Sequence, residues 1–149
     1  MESKALSVRQ PWATLIVCGV KGIEIRSWST AYRGRLFIHA SKTIDQEAMG
    51  RFQLESPPTG SLIGTVELIG VEPFTRSTWE ELSDLHLANT PFAEGFYAWQ
   101  LANAVPLAEP INCRGERSLF AVADSQVNPD LSIQCRPGGA GIATVRNLF

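Results

Sequence analysis

The sequence predicts a mostly β, α+β fold: a barrel of about six strands with short helical insertions. Three observations predict it. Hydrophobic residues alternate with period two in separate stretches: Ile23 and Ile25 against Glu24 and Arg26, then Leu36, Ile38 and Ala40 against Phe37 and His39. Helical patterns fall between strands without the regular βαβα series that builds a parallel sheet. Finally, 149 residues with 44% hydrophobic and 19% charged content suit one soluble domain with a single sizeable core.

The elements follow in order. Ala5 to Val8 reads as a first short strand, and Gln10 to Gly19 as a helix. Pro11 sits where a first helical turn tolerates proline, Trp12, Leu15 and Ile16 share a face, and Gly19 is a stop. Lys21 to Trp28 is a strand with one apolar and one charged face, Ser29 to Gly34 a turn, and Arg35 to Ser41 a strand. Thr43 and Gln46 have capping-box spacing and open a helix running to about Leu54, ended by Pro57-Pro58-Thr59-Gly60. Ser61 to Val71, rich in leucine and β-branched residues, is a long strand. Thr78 and Glu81 repeat the capping spacing ahead of one helix, with Trp79 and Leu82 on its buried side. Phe96 to Leu101 and Val105 to Leu107 are strand segments, with Pro106 and Pro110 marking an edge or a bend. Asn112 to Arg117 is a polar turn before a last strand, Ser118 to Ala123. Residues 1–124 form the domain; residues 125–149 form an extension that packs on it or trails from it.

Composition bounds the function. No apolar run is long enough to span a bilayer, and the N-terminus lacks a signal-peptide pattern, so a cytoplasmic protein without membrane association is expected. Cys18, Cys113 and Cys135 contain no CxxC pair and read as reduced thiols. Net charge is −2, but it is uneven: residues 1–51 carry eight bases and four acids, the remainder five bases and eleven acids. That asymmetry leaves room for an anionic partner on an acidic protein, or for simple pairing between the halves. No HExxH, paired CxxC or P-loop is present, so neither metal nor cofactor is expected.

The loaded stretch is Leu6 to Ser41, LSVRQPWATLIVCGVKGIEIRSWSTAYRGRLFIHAS. It contains Gln10-Pro11-Trp12-Ala13, a GxKxxExR pattern at Gly19, Lys21, Glu24 and Arg26, and Tyr32-Arg33-Gly34. Together these closely resemble the opening of the ASCH domain, named for its homology to part of a transcriptional coactivator. With Ser61 to Leu68 and Pro110 to Phe120, the resemblance covers about residues 5–124. It implies a PUA-like β-barrel with a cleft between the first helix and the barrel, lined by the GxKxxExR residues. Members of the family bind nucleic acid. One small bacterial branch removes the acetyl group from acetylated cytidine, using the motif lysine, a threonine three residues on, and a distant glutamate. The lysine position matches Lys21 here, but the threonine position is Glu24, a carboxylate in place of an alkoxide. Glu80 and Glu81 are the nearest candidates for the distant glutamate. Another branch has ribonuclease activity, with no site that maps onto this chain.

Lys21 therefore reads as a phosphate or carbonyl ligand, or as a base if burial lowers its pKa. Glu24 and Arg26 share a strand face and either shape a polar pocket or form a structural ion pair; Glu24 suits an exocyclic amine or a water. Arg33 and Arg35 flank Gly34 and suit bidentate phosphate contacts, against the alternative of a charged loop. Trp28 stacks on a base or is buried, while Trp12 and Trp99 are assigned to the core. Gln10 contacts the ligand or caps the helix. Ser41 and His39 end their strand near the cleft; His39 reads as structural, and His86 as a helix-surface residue without a role. The leading expectation is a nucleic-acid-binding protein, its partner RNA or a modified nucleoside, with DNA also admitted, and the oligomeric state left open. The alternative is a hydrolase acting on acylated cytidine nucleosides or RNA, with Lys21 and Glu24 catalytic. The third is a protein-interaction role.

Overall fold

A computed structural model describes residues 2–123. Expectations for the C-terminal extension lie outside the described residues. The chain runs β1 (Glu2–Gln10), α1 (Trp12–Val17), β2 (Ile23–Arg26), β3 (Gly34–Ile44), α2 (Gln46–Phe52), β4 (Ser61–Pro73), α3 (Arg76–Glu81), α4 (Ser83–His86), β5 (Tyr97–Asn112) and β6 (Leu119–Ala123). The six strands form one sheet in the order β2-β5-β4-β3-β1-β6. Only the β1–β3 pair is parallel; the other four are antiparallel.

The mostly β architecture is the expected one, but the ladder does not close into a barrel. Among the described residues its ends are β2 and β6. The sheet nevertheless curls. β2 and β1 stand four ladder steps apart, about 19 Å if the sheet were flat. Yet Arg26 Nη2 in β2 donates to the Ser7 carbonyl in β1 at 2.8 Å. β6 pairs with β1 only from Glu2 to Leu6, so Ser7 is the next position along that edge. A guanidinium, rather than a strand, bridges the gap there.

The curl encloses the main core. Leu6 and Val8, Leu36, Ile38 and Ala40, Val66 and Leu68, and Trp99 pack with Ala13, Ile16 and Val17 of α1. Helix α1 approaches β4 closely because Gly64 has no side chain. A Cβ there would lie 2.5 Å from Val17 Cγ1 and 2.7 Å from the Val105 carbonyl oxygen. The opposite face of β3 is also covered: Phe37 packs with Ala5, Leu62, Phe120 and Val122. This explains the near-continuous apolar run Leu36 to Ala40, since β3 is buried on both faces.

Several local readings are corrected. The cap of α2 is Asp45, whose side chain accepts from the Ala48 amide at 3.1 Å, not Thr43. Thr75, not Thr78, caps α3; Thr78 is its partner three residues on. The single helix expected after Thr78 breaks at Leu82 into α3 and α4. The two segments expected around 96–107 are one long strand with register shifts. β2 covers β5 only from Tyr97 to Gln100, so at Pro106, which pairs with Gly64 of β4, β5 lacks a neighbour on its β2 side.

Candidate functional site

Lys21 is fixed by the turn that ends α1. Gly19 takes a φ of 77°, and the amides of Val20 and Lys21 both donate to the Leu15 carbonyl, at 2.9 and 3.0 Å. The Gly22 amide then donates to Leu85 at 3.0 Å, tying the turn to α4 before β2 begins. The side chain of Lys21 is thereby directed inward, and only 3% of the residue is exposed. Its ammonium donates to the His86 carbonyl and lies 3.7 Å from Glu24 Oε1. It also sits over the Trp12 ring, 5.1 Å from the centroid.

Glu24 is held between two cations. Oε2 accepts from Arg26 Nη2 at 3.0 Å, and Oε1 accepts from the Ile25 amide at 3.1 Å. Arg26 Nη2 also bonds Ser7, so one guanidinium nitrogen both bridges the curl and fixes the carboxylate. Two cations on one anion leave the array with a net positive charge. Burial pushes the Lys21 pKa down from 10.5 to about 8; Glu24 opposes the fall and Arg26 adds to it. The lysine is thus mainly an ammonium at neutral pH and titrates just above it. Glu24 Oε2 keeps a lone pair, and the ammonium keeps a third hydrogen, for a ligand.

These groups line a cleft of about 790 Å³, together with Trp12, Trp28, Ser41, Asp45, Asn89 and Arg117. Trp12 packs against the core, as expected, but only half-buried: it also forms part of the cleft wall, and its indole donates to Asp45 Oδ2 at 3.2 Å. Trp28 is also half-buried and packs edge-on against Trp99, with centroids 4.7 Å apart. Its carbonyl accepts from the Trp99 indole at 3.1 Å. Both rings are therefore fixed before any ligand arrives.

The other expected site residues separate. Ser41 lines the cleft. Gln10 is fully buried and has both amide ends engaged: Nε2 donates to Pro58 at 2.7 Å and Oε1 accepts from the Thr14 amide at 3.0 Å. It caps the start of α1 and does not line the cleft. Arg33 and Arg35 are exposed and lie outside the cleft lining. Arg33 Nη1 donates to Thr30 and Tyr32 carbonyls at 2.8 and 2.7 Å, while Arg35 lies over Phe37, 4.6 Å from its ring centre. Glu80 and Glu81 are exposed on α3 and also lie outside it.

His86 is corrected from surface to core: it is fully buried. Nδ1 accepts from the Ala88 amide at 3.0 Å, so Nε2 carries the proton donated to the Trp79 carbonyl at 2.7 Å. Burial holds its pKa below the ordinary value; the Trp79 bond opposes this, and the Lys21 charge adds to it. Its role is to present its own carbonyl to Lys21. Asp45, Asn89, His86 and Arg117 line the cleft without any motif to mark them.

Among known proteins, the ASCH domain family model matches residues 6–111. The chain belongs to the ASCH family. The human activating signal cointegrator 1 is 42% identical over 78 residues, 43% of this chain and 13% of that protein. The mouse protein is 41% identical over the same length. This ASCH chain thus matches only a small part of those cointegrators. Crystal structures of ZmASCH from Zymomonas mobilis share the fold. One, of a point mutant, superposes with a TM-score of 0.63 at 18% identity, covering 85% of this chain and 94% of the other. Another superposes at 0.62 with 19% identity, covering 83% and 90%. No helix among the described residues is long and apolar enough to cross a membrane.

Proposed function

We propose that this ASCH domain binds RNA, or a modified nucleoside within it, in the Lys21–Glu24–Arg26 cleft. The observation that carries the reading is the buried charge array, with Trp12 and Trp28 fixed on its walls. Lys21 and Arg26 supply positive potential for a phosphate or a carbonyl oxygen. Glu24 accepts from an exocyclic amine, and a half-buried indole offers a face to a base, a contact worth about 1–3 kcal/mol. Such binding weakens with salt because bound phosphates release counterions. The test is fluorescence anisotropy of labelled structured RNA across a salt series. The wild type should bind with affinity that falls as salt rises, and Lys21→Ala with Arg26→Ala should lose that binding. Tight binding indifferent to salt, or intact in the double variant, would contradict the reading.

A second reading is favoured by the Lys21 pKa of about 8. A lysine this near neutrality can act as a base toward an acylated cytidine, with Glu24 directing water. Turnover of an acylated-cytidine panel should then rise as pH climbs through 8 and vanish in Lys21→Ala. Phosphate binding through the ammonium has the opposite pH dependence, so the two readings separate in one titration.

A further inference from the structure

We propose that a second groove, beside the cleft, holds the phosphate of a nucleotide linked to the one in the cleft. The inference rests on the nucleic-acid reading above and extends it from one nucleotide to a strand. The groove measures about 740 Å³ and shares Ser7, Ser41, Glu116 and Arg117 with the cleft, so the two depressions adjoin. It adds Lys42 at the end of β3 and Arg114 in the turn before β6.

Charge and geometry both point to an anion. Lys42, Arg114 and Arg117 are exposed, and none makes an ion pair or a side-chain hydrogen bond among the described residues. Glu116 is the one acid in the groove lining, so cations outnumber acids by three to one there. This differs from Arg33 and Arg35, whose side chains already have local partners.

The loop that carries the two arginines is anchored. The Cys113 amide donates to Gly60 at 3.1 Å, and the Cys113 carbonyl accepts from His39 Nε2 at 2.6 Å. His39 Nδ1 is hydrogen-bonded in turn to the Ser7 hydroxyl, at 3.0 Å. Gly115 lies directly on this pair; a Cβ at that position would approach His39 Cε1 to 2.7 Å. His39 is therefore a positioning residue that pins the loop to β3. Arg117 faces both depressions and would lie where a strand passes from one to the other.

The experiment uses a labelled single-stranded oligoribonucleotide of several residues, and cytidine alone as a second probe. Lys42→Glu with Arg114→Glu changes the groove and leaves the cleft lining intact. This variant should bind the oligonucleotide at least about tenfold more weakly. Its salt slope should be lower by about 0.7, the share of one phosphate contact on a single strand. Cytidine binding should be unchanged, and the charge-keeping Lys42→Arg should retain most of the wild-type oligonucleotide affinity. Oligonucleotide affinity and salt slope equal to wild type would overturn the groove, while loss in Lys21→Ala would still support the cleft. Loss in the groove variant with none in Lys21→Ala would instead overturn the cleft reading. A wild type that binds no oligonucleotide would overturn both.

Discussion

Two basic clusters lie within ten residues of each other in sequence and have opposite fates. Lys21 and Arg26 converge on Glu24 at the floor of a cleft, with Lys21 almost wholly buried. Arg33 and Arg35 project outward, one bonded to carbonyls of its own turn and the other lying over Phe37. Their charges are identical, so the difference is positional. β2 lies at one end of the sheet, and the curl carries that end against β1. β3 lies in the middle of the sheet, and its first residues emerge at the rim. A buried cation must be paired or its protonation is penalised, whereas a rim cation is satisfied by water at little cost.

The widest gap between the clusters should appear on removing Glu24. Glu24→Ala strands the Lys21 charge in the interior and should lower unfolding free energy by about 3–5 kcal/mol. Urea denaturation reads this directly. A loss under 1 kcal/mol would show that water already reaches Lys21. Next comes Gly64→Ala, which drives a methyl into Val17 and displaces α1, the support of the Lys21 turn. Overpacking of this kind costs about 1–3 kcal/mol. Thermal melts should fall accordingly, and the Trp12 fluorescence environment should change with them.

The pH dependence of Lys21 sharpens the same contrast. Its folded pKa of about 8 lies below 10.5, so the unfolded chain holds this proton more tightly. The penalty is full below pH 8 and disappears as pH rises from 8 towards 10.5. Wild type should therefore gain stability relative to Lys21→Met over that window, read from denaturation midpoints at fixed ionic strength. A constant difference would mean that the ammonium is not desolvated. Arg33→Ala with Arg35→Ala should give the smallest effect, within about 0.5 kcal/mol of wild type in the same melts. A larger loss would mean that the Arg35–Phe37 contact supports the β3 face.

Much of the fold was legible in the sequence. Alternation located β2 and β3, the run of leucine and β-branched residues located β4, and the GxKxxExR spacing marked Lys21, Glu24 and Arg26 before their convergence was visible. What alternation cannot supply is which way the sheet curls. Ile23 and Glu24 are neighbours on opposite faces of β2, yet both are buried, at 3% and 7% exposure. That depends on β1 lying opposite β2, a contact between residues 19 apart in sequence. His86 was misjudged because its helix breaks at Leu82, turning the next residues toward Trp79 and Phe74. Trp12 shares helical spacing with Leu15 and Ile16 and packs against the core, but spacing does not show that Asp45, the cap of α2, holds its indole at the cleft. Arg117 sits in a polar turn with no periodicity to mark which way it faces.

The central claim is that the cleft floor, and not the exposed arginine turn, receives nucleic acid. An NMR titration of the ¹⁵N-labelled protein with a short oligoribonucleotide tests it most directly. The account predicts shifts in the amides of residues 21–26 and in the Trp12 and Trp28 indole signals, with the amides of residues 33–35 nearly still. Shifts confined to residues 33–35, with the indoles and the Lys21–Arg26 strand unmoved, would contradict it.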